Sequence, residues 1–85
     1  MNLSDADRAT LTSFDEAMAA VSAQKPADPN KRVNALRRVR DEWLPQTEAI
    51  DIRLVNLVVA RQRNRVLSGA AQPPLDLGAL AAQIP

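Results

Sequence analysis

The stretch AIDIRLVNLVVARQRNR, residues 49–65, constrains the fold more than any other part of the chain. Drawn as a helix at about 100° per residue, it is apolar on two opposite sides. One side, which we assign to the protein's own core, consists of Ile50, Leu54, Leu57 and Val58. The opposite side consists of Ile52, Val55 and Val59 and continues into Val66, the residue after the stretch; these four residues are here named the second arc. A helix that is apolar nearly all round is buried nearly all round, so each side needs a cover.

Two earlier helices have clear start signals. Ser4 opens a capping-box pattern, and Asp28 followed by Pro29 places a carboxylate N-cap before a proline in the first helical turn. Apolar residues then recur at spacings of three and four, as on one face of a helix. These signals predict helices over about residues 5–24 and 29–43.

Pro45 leaves two arrangements open. Either the second helix ends near Trp43 and a third helix turns back to form a small bundle, or both continue as one long helix kinked at Pro45 in a helical hairpin. Connections between antiparallel helices usually take about 2 to 8 residues. The break at Pro45 is so short that a tight reversal there would be strained, which favours the kinked helix. The third helix is predicted over about residues 46–68. Some strand-like alternation occurs at its start, but its length without Gly or Pro favours a helix.

The predicted fold class is therefore all-α, with three helices in a helical domain over residues 1–68 and an extended C-terminal tail over 69–85. Asp76 is placed to cap one short helix within that tail. At 85 residues, a chain buries only roughly 60 to 65 % of its unfolded surface, so its stability is marginal. A partner subunit would add stability that the core lacks.

The composition argues against catalysis. The chain has no Cys, His or Tyr, which removes the thiol nucleophile, the commonest general base and the commonest neutral metal ligand. We interpret the acidic residues that occur in pairs along the sequence as parts of solvated helix faces or as salt-bridge partners. We therefore expect a protein that is not an enzyme, with no catalytic residues, no cofactor, no metal site and no small-molecule substrate.

The second arc is the main predicted interface, because the first 50 residues are too short to cover it. The partner-binding residues predicted on the arc and the tail are Ile52, Val55, Val59, Val66, Leu75, Leu77 and Leu80. The alternative is that the tail folds back and closes a monomeric core. The expected function is protein–protein interaction or assembly with a partner or with copies of the same chain. Examples are a structural component of a larger particle such as a phage virion, a small chaperone and an inhibitor.

Charge is distributed unevenly along the chain. Residues 1–24 carry three net negative charges, and residues 25–68 carry five net positive charges. Either the acidic segment folds onto the basic one, or a basic face is offered to nucleic acid or an acidic protein. Nucleic-acid binding is the second functional hypothesis, with predicted contacts at Arg37, Arg38, Arg40, Arg61 and Arg65.

The N-terminus has no basic region followed by an apolar run, and the longest apolar run, residues 57–60, is far short of the roughly 20 residues that span a membrane. We expect neither a signal peptide nor a transmembrane helix. The expected location is the cytoplasm or a soluble particle.

Overall fold

The structure is a computed structural model that describes residues 3–23 and 28–85. Within these ranges the chain is all-α, as predicted, and contains no strand. The helices are α1 (Asp5–Ala23), α2 (Pro29–Glu42), α3 (Leu44–Thr47), α4 (Ile52–Ser68) and α5 (Leu77–Ala81). The end predicted for the first helix, residue 24, lies outside the described ranges.

Side-chain caps explain where the helices begin. Ser4 Oγ accepts the amide of Asp7 at 3.0 Å before α1, and Asp28 accepts the amide of Asn30 at 2.9 Å before α2. Asp76 accepts the amide of Ala79 at 3.0 Å before α5. Each bond satisfies an N–H group that the first helical turn leaves without a partner.

The predicted third helix over 46–68 is divided in the structure. A single helical turn, α3, begins at Leu44, and α4 begins only at Ile52. Pro45 lies in the first turn of α3, where its missing N–H has no consequence. Asp51 accepts the amide of Arg53 at 2.9 Å and so caps α4. The link between α2 and α4 therefore spans residues 43–51, which is long enough for the chain to reverse.

The long helices α1, α2 and α4 contact one another pairwise, in contrast to the kinked hairpin that the sequence favoured. The nearly inaccessible centre of the core consists of Leu11, Phe14, Met18, Leu36, Leu54 and Val58. The Trp43 ring lies 5.8 Å from the Phe14 ring, centroid to centroid, and joins the link to this core. The reversal at residues 43–51 thus places α4 against both earlier helices.

The C-terminal tail does not extend away from the helices, in contrast to the prediction. Gly69 ends α4 with a φ of 70°, a left-handed conformation that glycine adopts without steric cost. The chain then returns, and α5 packs on α4 with Leu77 only 7 % exposed. Leu80 and Ile84 are half-buried against the same core. Folding back shields apolar side chains that an extended tail would expose to water.

The cap of α4 gives a prediction about pH. The side-chain and backbone N–H groups of Arg53 donate to the Asp51 carboxylate, and they lower its pKa from 3.8 to about 2. Because the pKa is lowered on folding, the stabilisation is complete above the unfolded-state value and is lost as the pH falls through about 2. In urea unfolding, we expect the stability difference between wild type and Asp51→Asn to be constant from pH 7 to about pH 5 and to shrink towards pH 2. A difference that does not change over this range would contradict the assignment.

Candidate functional site

Most of the second arc is covered by the chain itself. Val55 is 2 % exposed and Val66 is 4 % exposed, so both belong to the core. Val59 is half-buried against the same cluster, and only Ile52, at 55 %, is well exposed. The predicted interface along the whole arc is therefore corrected to one exposed residue, because the packed helices and the returning tail cover the rest.

The tail residues that were predicted to contact a partner also pack against the protein's own core. Leu77 is buried, and Leu75 and Leu80 are half-buried against the core. These side chains pack as the alternative prediction described, in which the tail folds back and closes the core.

Arg61 is held inside the protein. Its Nη1 donates to both carboxylate oxygens of Asp15, at 3.0 and 3.1 Å, and its Nη2 donates to the carbonyl oxygen of Pro73. The side chains of Asp15 and Arg61 are each 12 % exposed. Gln62 Nε2 adds a third hydrogen bond to Asp15, at 2.9 Å. This network joins α1, α4 and the tail, so Arg61 is not available to a nucleic acid.

Two of the predicted basic contacts line a groove between α2 and α4. Arg37 and Arg40 lie on its α2 side, and Arg63 lies on its α4 side. The groove has a volume of about 140 Å³, and no residue of α1 or the tail lines it. Here named the basic groove, it is lined by Val33, Leu36, Arg37, Arg40, Val59 and Arg63. The other two predicted residues lie elsewhere: Arg38 is exposed, and half-buried Arg65 lines a cleft beside Asp15 under the tail.

The arginines of the basic groove have no carboxylate partner in the part of the chain that the structure describes. The ion pairs found there are Arg53 with Asp51 and Arg61 with Asp15. Arg40 Nη2 lies 3.4 Å from Asn56 Oδ1, a neutral acceptor in the first turns of α4. Three guanidinium groups thus border one groove without a negative charge in contact with them.

Apolar side chains flank the basic groove at both ends. Arg40, near the end of α2, contacts Asn56, near the start of α4, so these two helices run antiparallel. Leu44, 49 % exposed, and Ile52 lie at the end where the link joins the helices. Leu67, 59 % exposed, lies at the other end of α4, about 22 Å from Ile52. Ile52, Val59, Arg63 and Leu67 recur at spacings of seven and four residues, so they share one face of α4, with Arg63 between two exposed apolar side chains.

The acidic residues of α1 do not neutralise this face. Asp15 pairs with Arg61, whereas Asp5 and Glu16 are exposed and form no ion pair within residues 3–23 and 28–85. Among the described residues, the acidic segment therefore forms one ion pair with the basic segment, the buried Asp15–Arg61 pair. Most of the charge separation in the sequence persists on the folded surface.

No metal-binding cluster of three His, Cys, Asp or Glu side chains forms among the described residues. In the same ranges, no helix combines the length and the apolar character needed to cross a membrane. Comparisons of the chain with protein-family models, with characterised proteins and with solved structures find no match.

Proposed function

We propose that the chain is a non-enzymatic protein-binding module and that the basic groove receives an acidic helical surface of a partner. The observation that carries the proposal is the presence of Arg37, Arg40 and Arg63 around one groove with no carboxylate of the described residues in contact. Carboxylates of a partner would form charge-assisted hydrogen bonds with these guanidinium groups. The exposed side chains of Leu44, Ile52 and Leu67 would supply the apolar contacts that ion pairs at a surface do not.

A protein partner fits this surface better than a nucleic acid does. Three apolar residues form the floor of the basic groove, and large apolar side chains flank it. Recognition of single-stranded nucleic acid commonly uses exposed aromatic side chains on which bases stack. Phe14 is buried, and half-buried Trp43 packs against it. The arginines remain able to contact phosphates, which makes nucleic-acid binding an outcome for the experiment to test.

Charge reversal in the basic groove should weaken binding of an acidic helical peptide by at least about tenfold. The probe is a labelled helix of roughly 20 residues with glutamates at its centre and leucines towards both ends of one face. The variant is Arg37→Glu with Arg63→Glu, and binding is measured by fluorescence anisotropy at low and moderate salt. The reason is that two attractive charges become repulsive while the apolar floor is retained.

Lys31→Glu with Arg38→Glu is the matched control, since it also reverses two positive charges, both at exposed residues of α2 outside the basic groove. We expect it to change the dissociation constant by less than about threefold. A scrambled peptide of equal composition should bind more weakly than the designed one. Equal losses in the groove and control variants would contradict the proposal, as would tighter binding of a duplex or single-stranded oligonucleotide than of the peptide.

A further inference from the structure

Building on the proposed function, we infer that the acidic helical surface received by the basic groove is the outer face of α1 of a second copy of this chain. Two unneutralised surfaces of opposite charge occur on the same molecule. The proposal joins them between copies, since no ion pair among the described residues joins them within one copy.

The outer face of α1 has the required chemistry. The residues on the side of α1 away from Leu11, Phe14 and Met18 are all exposed: Asp5, Ala9, Ser13, Glu16 and Ala20. Two carboxylates thus lie on a face of small side chains, which lets another helix approach closely and leaves space for large apolar groups. Arg8, the basic residue of α1, lies towards the tail, where it lines clefts with Leu77 and Gly78.

The dimensions of the two surfaces agree. The 19 residues of α1 extend over about 28 Å, and the 17 residues of α4, of which Val59 and Arg63 line the basic groove, extend over about 25 Å. An α1 helix laid along α4, across the basic groove, would therefore reach from Ile52 at one end to Leu67 at the other.

The position of the two surfaces decides the symmetry of the assembly. The buried side of α1 packs on both α2 and α4, while the basic groove has no α1 residue in its lining. The groove therefore opens on the side of the molecule away from α1. Each copy in such a contact keeps one free groove or one free α1 face, which makes the interface heterologous. Association proceeds head to tail and does not stop at a symmetric dimer.

The experiment is a charge swap followed by sedimentation velocity. For the wild type at low salt, we expect the weight-average mass to rise with concentration beyond that of a dimer and to return to the monomer in about 1 M salt. The groove variant, Arg37→Glu with Arg63→Glu, and the helix variant, Asp5→Lys with Glu16→Lys, should each stay monomeric. An equimolar mixture should associate again, because the reversed α1 faces the reversed groove and the two wild-type surfaces also meet.

Circular dichroism is used to check that each variant is folded, and Glu16→Lys alone replaces the helix variant if loss of Asp5 unfolds α1. The control variant, Lys31→Glu with Arg38→Glu, should associate like the wild type. A wild type that stays monomeric while the acidic peptide binds the basic groove would overturn this inference and leave the proposed function standing. If neither association nor peptide binding occurs, both fail. Association that survives in the groove variant, that stops at a dimer, or that the mixture does not restore would also overturn the inference.

Discussion

Replacing Asp15 with alanine should lower the free energy of unfolding by about 3 kcal/mol or more. Asp15 accepts hydrogen bonds from the side chains of Arg61 and Gln62, and the residue is only 8 % exposed. Its removal leaves a guanidinium and an amide in a poorly hydrated place without their acceptor. Leaving one member of a buried ion pair without its partner is among the most destabilising single changes in a small protein.

Urea unfolding followed by circular dichroism measures this change, and Glu16→Ala provides the control. Glu16 is the next residue of the same helix, but it is exposed and has no ion pair in the described ranges. Its replacement should shift the free energy of unfolding by no more than about 0.5 kcal/mol. If both variants lose the same small amount, the Asp15–Arg61 pair does not hold α1 and α4 together.

Truncation of the chain after Gly69 should lower the free energy of unfolding by several kcal/mol, or on the order of half of the total for a domain of this size. The deleted segment contains buried Leu77 and half-buried Leu75, Leu80 and Ile84. It also contains the Pro73 carbonyl that accepts from Arg61. The loss is smaller than the sum of these contacts, since the truncated chain no longer has to order the tail.

Two point variants separate the effect of lost core packing from the effect of a shorter chain. Leu77→Ala should lose about 2 to 3 kcal/mol, whereas Leu67→Ala, at a residue 59 % exposed, should lose little. Thermal and urea unfolding measure both. A truncated chain as stable as the full chain would show that the tail is not part of the core.

The helix beginnings that could be predicted from the sequence depend on local hydrogen bonds. The beginnings of α1, α2 and α5 follow from a serine or aspartate whose side chain bonds to an amide two or three residues later. The beginning of α4 uses the same chemistry at Asp51. It was missed because a continuous run of helix-compatible residues surrounds that position, and local propensity does not show where such a run divides.

The site depends on tertiary contacts that the sequence could not supply. Nothing in the local sequence distinguishes Arg61 from the other arginines. Only the fold places it beside Asp15, which lies 46 positions earlier in the chain. Arg63 joined the basic groove because the antiparallel packing of α2 and α4 places it near Arg37. The coverage of Val55 likewise follows from the packing of the long helices and the returning tail, whose path the sequence left open.

The most direct test of the basic groove as a docking surface is a titration of the 15N-labelled protein with the acidic helical peptide, followed residue by residue in 15N–1H spectra. We predict that the largest shifts fall on the amides of Arg37, Arg40, Asn56 and Arg63, with smaller ones near the apolar ends of the groove. The opposite result is a set of shifts centred on the clefts beside Arg61 and Pro73, with the α2 and α4 amides of the basic groove unchanged. That result would contradict the account.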